Sequence, residues 1–161
     1  MENDNWIVDE IRHWVDMKIK REERDIHEQT KKMNENFLHF FEWNAESLYK
    51  SHFISGCYKE LRKALEELKD IDEVRKILKS SIAYCENKLL KGELDYHSSS
   101  RTTNVAHFLK LECMQQLIKE YREFANILSV TPSEENRRQA ASKKREKEET
   151  SERKIKPGIR R

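Results

Sequence analysis

Between Met1 and Thr131 the chain contains no proline, and its only glycines there are Gly56 and Gly92. Sheet proteins need turn residues every eight to twelve positions or so. A proline inside a helix removes a backbone donor and clashes with the preceding turn. A stretch so poor in both residues points to long helices. Charged residues make up 39% and hydrophobic residues 36% of the chain, so apolar side chains must lie in narrow stripes on helices with solvated outer faces. The expected fold class is all-α. It is a four-helix bundle-like domain over residues 1–130, with a long first helix, followed by a disordered charged C-terminal tail over 131–161.

The spacing of apolar residues predicts helices over 6–33, 36–69, 71–91 and 104–129, joined up-and-down where the connections are short. The third has the strongest pattern. Ile71, Val74, Ile77, Leu78, Ile82, Cys85 and Leu89 recur at three- and four-residue steps. Asp70 and Glu73 fit a capping box at its start, and Gly92 fits a left-handed turn at its end. In the fourth, Val105, Phe108, Leu109, Glu112, Leu117, Ile118, Tyr121, Phe124 and Leu128 mark one face, with Thr103 or Asn104 as the cap and Pro132 as the stop. The second helix draws its stripe from Leu48, His52, Phe53, Cys57, Leu61, Leu65 and Leu68. Its boundary with the first falls at Asn34, Asn36 or Asn44, and the aromatic cluster Phe37, Phe40, Phe41 and Trp43 is expected to pack near that joint.

Within the first helix the stripe thins between Met17 and Glu35. Ile19, Ile26, Met33 and Phe40 stand seven residues apart, the repeat of a coiled-coil seam. Glu23 and Thr30 occupy the other seam position. Opposite charges four apart (Lys18–Glu22, Arg21–Asp25, Arg24–Glu28, Glu28–Lys32) support an exposed helix. Two readings follow: a long helix whose middle projects past the bundle, or a pairing arm in which Ile19, Ile26 and Met33 meet a partner.

Chemistry is sparse. Three glycines spread over the chain cannot form a phosphate cradle. Cys57, Cys85 and Cys113 lack metal-ligand spacing and read as reduced core thiols. No metal or cofactor is expected. The segment Arg101-Thr102-Thr103-Asn104-Val105-Ala106-His107 resembles the Arg-x(4–6)-His motif of HEPN ribonucleases, which are small helical bundles. The resemblance implies His107 in acid–base chemistry on an RNA 2′-hydroxyl and Arg101 supporting the phosphate at a helix N-terminus. The same spacing recurs at Arg21…His27, and Thr102 stands where the family commonly has Asn, Asp or His. The reading therefore leans away from an enzyme.

Residues 131–161 hold 11 Lys/Arg against 6 Asp/Glu, whereas the first 130 hold 21 against 24. The positive surplus belongs to the tail, and Arg153, Lys154, Lys156, Arg160 and Arg161 close it without an acidic residue. Such an arm suits nucleic acid through salt-sensitive phosphate contacts, although it has no aromatic residue to stack on a base. No signal-like or membrane-spanning segment is expected, and free thiols suit a cytoplasmic protein. The expected function is that of a non-enzymatic helical interaction or accessory protein, partnered by another protein or by itself as a homodimer. The alternative is nucleic-acid association through the tail, or HEPN-like RNA cleavage.

Overall fold

The computed structural model describes residues 5–95 and 98–129, and among these every regular element is a helix. The five are α1 (Asn5–Glu35), α2 (Phe37–Trp43), α3 (Ala45–Ala64), α4 (Ile71–Asp95) and α5 (Arg101–Ser129). The all-α bundle expected from glycine and proline depletion is present. The tail assigned to 131–161, with Arg153, Lys154, Lys156, Arg160 and Arg161, lies outside the described residues.

Five helices replace four because Asn36 closes the first expected helix and Asn44 divides the second. Asn36 leaves the helical region (φ −152°, ψ 92°) and its side chain accepts from the His39 N–H at 3.1 Å, so it caps α2. Asn44 sits at φ −124°, ψ −12°, with its N–H donating to the Phe40 carbonyl at 2.7 Å, and separates α2 from α3. Replacing Asn36 by alanine removes the cap and is expected to cost about 1 kcal/mol. Chemical denaturation would show it as a lower midpoint with an unchanged slope.

Ion pairs fix the directions of the four long helices. Asp16 meets Arg62 at 2.9 Å and Glu23 meets Lys59 at 2.8 Å, so α1 and α3 run antiparallel. Lys18 meets Glu120 at 3.2 Å, and Trp14 lies 6.1 Å from Phe124 between ring centroids, so α1 and α5 are antiparallel too. Glu86 with Arg122 (2.5 Å), and Arg75 with the Leu128 carbonyl, set α4 against α5 in the same sense. The topology is up-down-up-down. Because α1 lies along α3, its middle does not project. Glu22 is buried there, and of the four charge pairs expected along α1 only Glu28–Lys32 forms at 2.9 Å. Lys18 turns to Glu120 and Arg21 to its neighbour Glu22.

Helix α5 supplies the most buried side chains. Leu109, Cys113, Met114, Leu117, Ile118, Tyr121, Phe124 and Leu128 all face inward, against Ile7, Val8, Ile11 and Val15 of α1 and Val74 and Leu78 of α4. Two helix ends differ from expectation. Gly92 does not stop α4, which runs on to Asp95 with no positive φ at any described glycine. A side chain at Gly92 would meet Leu111 Cδ2 at 2.7 Å, so the glycine serves the close approach of α5. At α5 the cap is Ser100, whose Oγ accepts from the Thr103 N–H at 3.3 Å; Asn104 instead donates to the Ser98 carbonyl at 2.9 Å. At α4 the expected Asp70 cap is present, accepting from the Asp72 N–H at 2.9 Å.

Candidate functional site

Two surfaces stand out once the helices are placed. The first is α2. Seven residues, FLHFFEW, carry five large apolar side chains, yet α2 is too short to hide more than one row. Phe40 turns inward and is buried. Phe37, Leu38, Phe41 and Trp43 remain 59%, 74%, 64% and 73% exposed. Phe37 and Phe41 stack on each other, with ring centroids 6.0 Å apart, and leave their outer faces to solvent. The expectation that the cluster packs at the joint therefore holds for Phe40 alone. Antiparallel α1 and α5, and parallel α3 and α5, place the first turns of α5 at this same end. Val105 and Phe108 are exposed there as well.

The second surface is a groove of about 870 Å³ between α3 and α4, floored by α5. Phe53, Cys57 and Leu61 of α3 line one side, Ile77 and Cys85 of α4 the other, and Met114 and Tyr121 the floor. Lys88 and Lys110 stand at the end nearer the α2 tip. Lys88 Nζ lies 5.6 Å from the Tyr84 ring centroid, and Lys110 Nζ lies 6.0 Å from that of Phe53. Gly56 also lines the groove, mid-helix, and a Cβ built on it meets nothing within 4 Å.

The thiols there are poor nucleophiles. Burial, followed by the neighbouring Cys85 and Cys113, pushes Cys57 up to about 11. Burial likewise raises Cys113 to about 11 and raises Cys85. All three are free thiols held in the neutral form; Cys85 and Cys113 are buried, whereas Cys57 is half-buried at the groove wall. Among the described residues no group of three His, Cys, Asp or Glu side chains is placed to hold a metal ion. None of the described helices is long and apolar enough to cross a membrane.

Arg101 and His107 both fall in the first two turns of α5, but six residues along a helix leaves them about a third of a turn apart around its axis. Arg101 is exposed. His107 is half-buried, with Nε2 3.1 Å from the Gly92 carbonyl, at the crossing of α4 and α5. The geometry engages His107 in helix packing. The seam residues Ile19, Ile26 and Met33 are all half-buried, and Ile19 packs against the core.

One polar cluster has no signal in the residue spacing. Glu120 of α5 accepts from Tyr58 Oη of α3, from Gln116 Nε2 at 3.0 Å, and from Lys18 Nζ of α1 at 3.2 Å. It ties three helices together. Burial alone would raise the Glu120 carboxyl, but hydrogen bonds from Tyr58 and Gln116, with the Lys18 charge, hold it below its ordinary value. Tyr58 is raised by burial and by its bond to Glu120, and stays a neutral donor. Only the pairing of residues 58 and 120 across 62 positions produces the cluster.

No family model, curated protein or solved structure matches this chain.

Proposed function

We propose that this chain is a non-enzymatic helical interaction module that pairs with a second copy of itself through the α2 tip. The observation that carries the reading is the exposure of Phe37, Leu38, Phe41 and Trp43 on one short helix. At 150–250 Å² per aromatic side chain, their exposed portions, with Val105 and Phe108, amount to roughly 700 Å². A standard interface buries about 800 Å² per partner, and monomers rarely leave apolar patches of this size without a partner. A two-fold interface must be self-complementary. The tip meets that condition, because Lys31, Lys32, Glu35, Glu42 and Glu46 put both signs of charge around the apolar centre.

Pairing through α2 differs from pairing through the seam, and the two separate cleanly. Light scattering on the full chain should give twice the chain mass at high micromolar concentration. Aromatic anchors near the centre of an interface are frequent hot spots costing about 2 kcal/mol or more, so Phe41→Asp is expected to weaken pairing by more than about thirtyfold. Ile26→Glu with Met33→Glu should leave it in place. A monomeric native chain, or dissociation by the seam variant and not by Phe41→Asp, would sink the α2 reading.

A further inference from the structure

We infer that the groove between α3 and α4 is a binding site for a single-chain amphiphile with an anionic head, such as a free long-chain fatty acid. Two independent features of the groove lead there.

The first is its chemistry from end to end. From Phe53 to Ala64 the α3 wall runs eleven residues, about 17 Å at 1.5 Å per residue, and the opposite wall reaches Ile77. The interior is apolar, with Leu61, Ile77, Met114 and Tyr121 forming the far half. The two lysines are gathered at the near end. Neither Lys88 nor Lys110 has an ion-pair partner among the described residues; the ammonium of each stands over an aromatic ring. A concave apolar slot of 300–1,000 Å³ or so, with a few polar groups at fixed positions, is the usual form of a small-molecule site. Here His52 and the two lysine cations stand at one end and the uncharged Ser80 and Ser81 lie along the α4 wall, so the cations set both the class of head group and the direction of the chain. Glu60 on the α3 rim lies farther along, where an anionic head would be repelled and only the alkyl chain belongs.

The second feature is Gly56. Glycine is the least favourable helix-interior residue after proline, and here nothing in the chain requires it. A Cβ would stand in open space, in contrast to Gly92, where α5 presses close. The missing side chain keeps the groove open at mid-length, where a bound alkyl chain would lie against the α3 backbone.

The test uses the full chain and dodecanoate below its micelle concentration, titrated by calorimetry, with dodecanol as the uncharged probe of equal chain length. Dodecanoate should bind one per chain, and dodecanol at least tenfold more weakly. Lys88→Glu with Lys110→Glu should weaken dodecanoate tenfold or more. Gly56→Leu fills the slot while replacing a poor helix former by a good one. It should abolish binding with no loss of thermal stability. A second groove, between α1 and α5, is bordered by Lys20 and Arg24, and Lys20→Glu with Arg24→Glu should leave binding unchanged. The inference is overturned if dodecanoate does not bind, or binds many per chain. Equal binding of dodecanol, as in a groove built for a partner's apolar helix face, also overturns it. So does retained binding in the Gly56→Leu variant, or loss only on changing Lys20 and Arg24. Light scattering on the same samples reads the α2 pairing separately, so either proposal can fail alone.

Discussion

Replacing Tyr58 by alanine is expected to destabilise the bundle by about 4 kcal/mol, within the range for truncating a buried aromatic residue. The ring is fully buried. It meets Tyr121 edge-on, at 5.9 Å between centroids and 85° between planes, an arrangement that adds to simple burial. Its hydroxyl donates to the Glu120 carboxylate. Truncation removes all three and leaves Glu120 short of a donor. Tyr58→Phe isolates the last contribution. The packing stays, and the loss should be about 2 kcal/mol, as for a hydrogen bond to a charged group. Urea midpoints for the native chain and both variants would check the order. Tyr58→Phe as stable as the native chain would remove Glu120 from the account.

The same pair makes a pH prediction. The Glu120 carboxyl is held below its ordinary value when folded, because burial is outweighed by Tyr58, Gln116 and Lys18. A group depressed in this way contributes stability above its unfolded value, about 4.3 for glutamate. That contribution is lost as pH falls through the folded value. In Tyr58→Phe one of the lowering bonds is gone, so the acid loss of stability should begin at higher pH than in the native chain. Coincident acid limbs would contradict the assignment.

Much of this architecture is legible in the sequence, for identifiable reasons. Ile71, Val74, Leu78 and Cys85 are buried as their spacing implies, because α4 has one apolar face and one charged face. On the expected second helix the stripe holds at Leu61 and Leu65, which are buried, but not in the first turns of α3. His52 is exposed, and Phe53 and Cys57 lie at the groove, while Ser51, Ile54, Ser55 and Tyr58 face inward. Two buried serines and a tyrosine look polar to a periodicity argument, yet small serines let helices close together and the tyrosine finds its carboxylate across the core. On α5 the stripe was drawn too wide: Val105, Phe108 and Glu112 are exposed. Their apolar neighbours belong to a surface left open at the α2 end, which apolar spacing alone does not distinguish from core. The groove was not legible at all, since it arises from the separation of α3 and α4 over α5. Gly56 was its one trace in the sequence, readable there only as a cost to the helix.

Arg12 carries the other large expected effect, and its partners are 53 to 56 residues away. α3 ends at Ala64 with no side chain of its own to satisfy the carbonyls that follow. The link after it has no helical ladder to satisfy its backbone, and there the Leu65 carbonyl accepts only a long bond from the Leu68 N–H at 3.4 Å. Arg12 reaches across from α1, donating through Nε to the Leu65 carbonyl at 2.9 Å, and through Nη2 to those of Glu66 at 3.1 Å and Leu68. Nη1 meets Asp9 at 2.7 Å, which orients the fork. Arg12→Met keeps most of the stem but leaves three carbonyls without this donor, and is expected to cost about 3 kcal/mol. Arg12→Lys retains the charge but not the planar fork, so it should recover only part of that. Asp9→Asn, at an exposed pair, should cost less than about 1 kcal/mol. Amide exchange would localise the change, with protection falling first in the link between α3 and α4. Arg12 lies at the end of α1 away from α2, so Arg12→Met should lower stability and leave pairing intact. An Arg12→Met protein within about 0.5 kcal/mol of the native chain, the range of an ordinary surface change, would mean that water satisfies those carbonyls equally well.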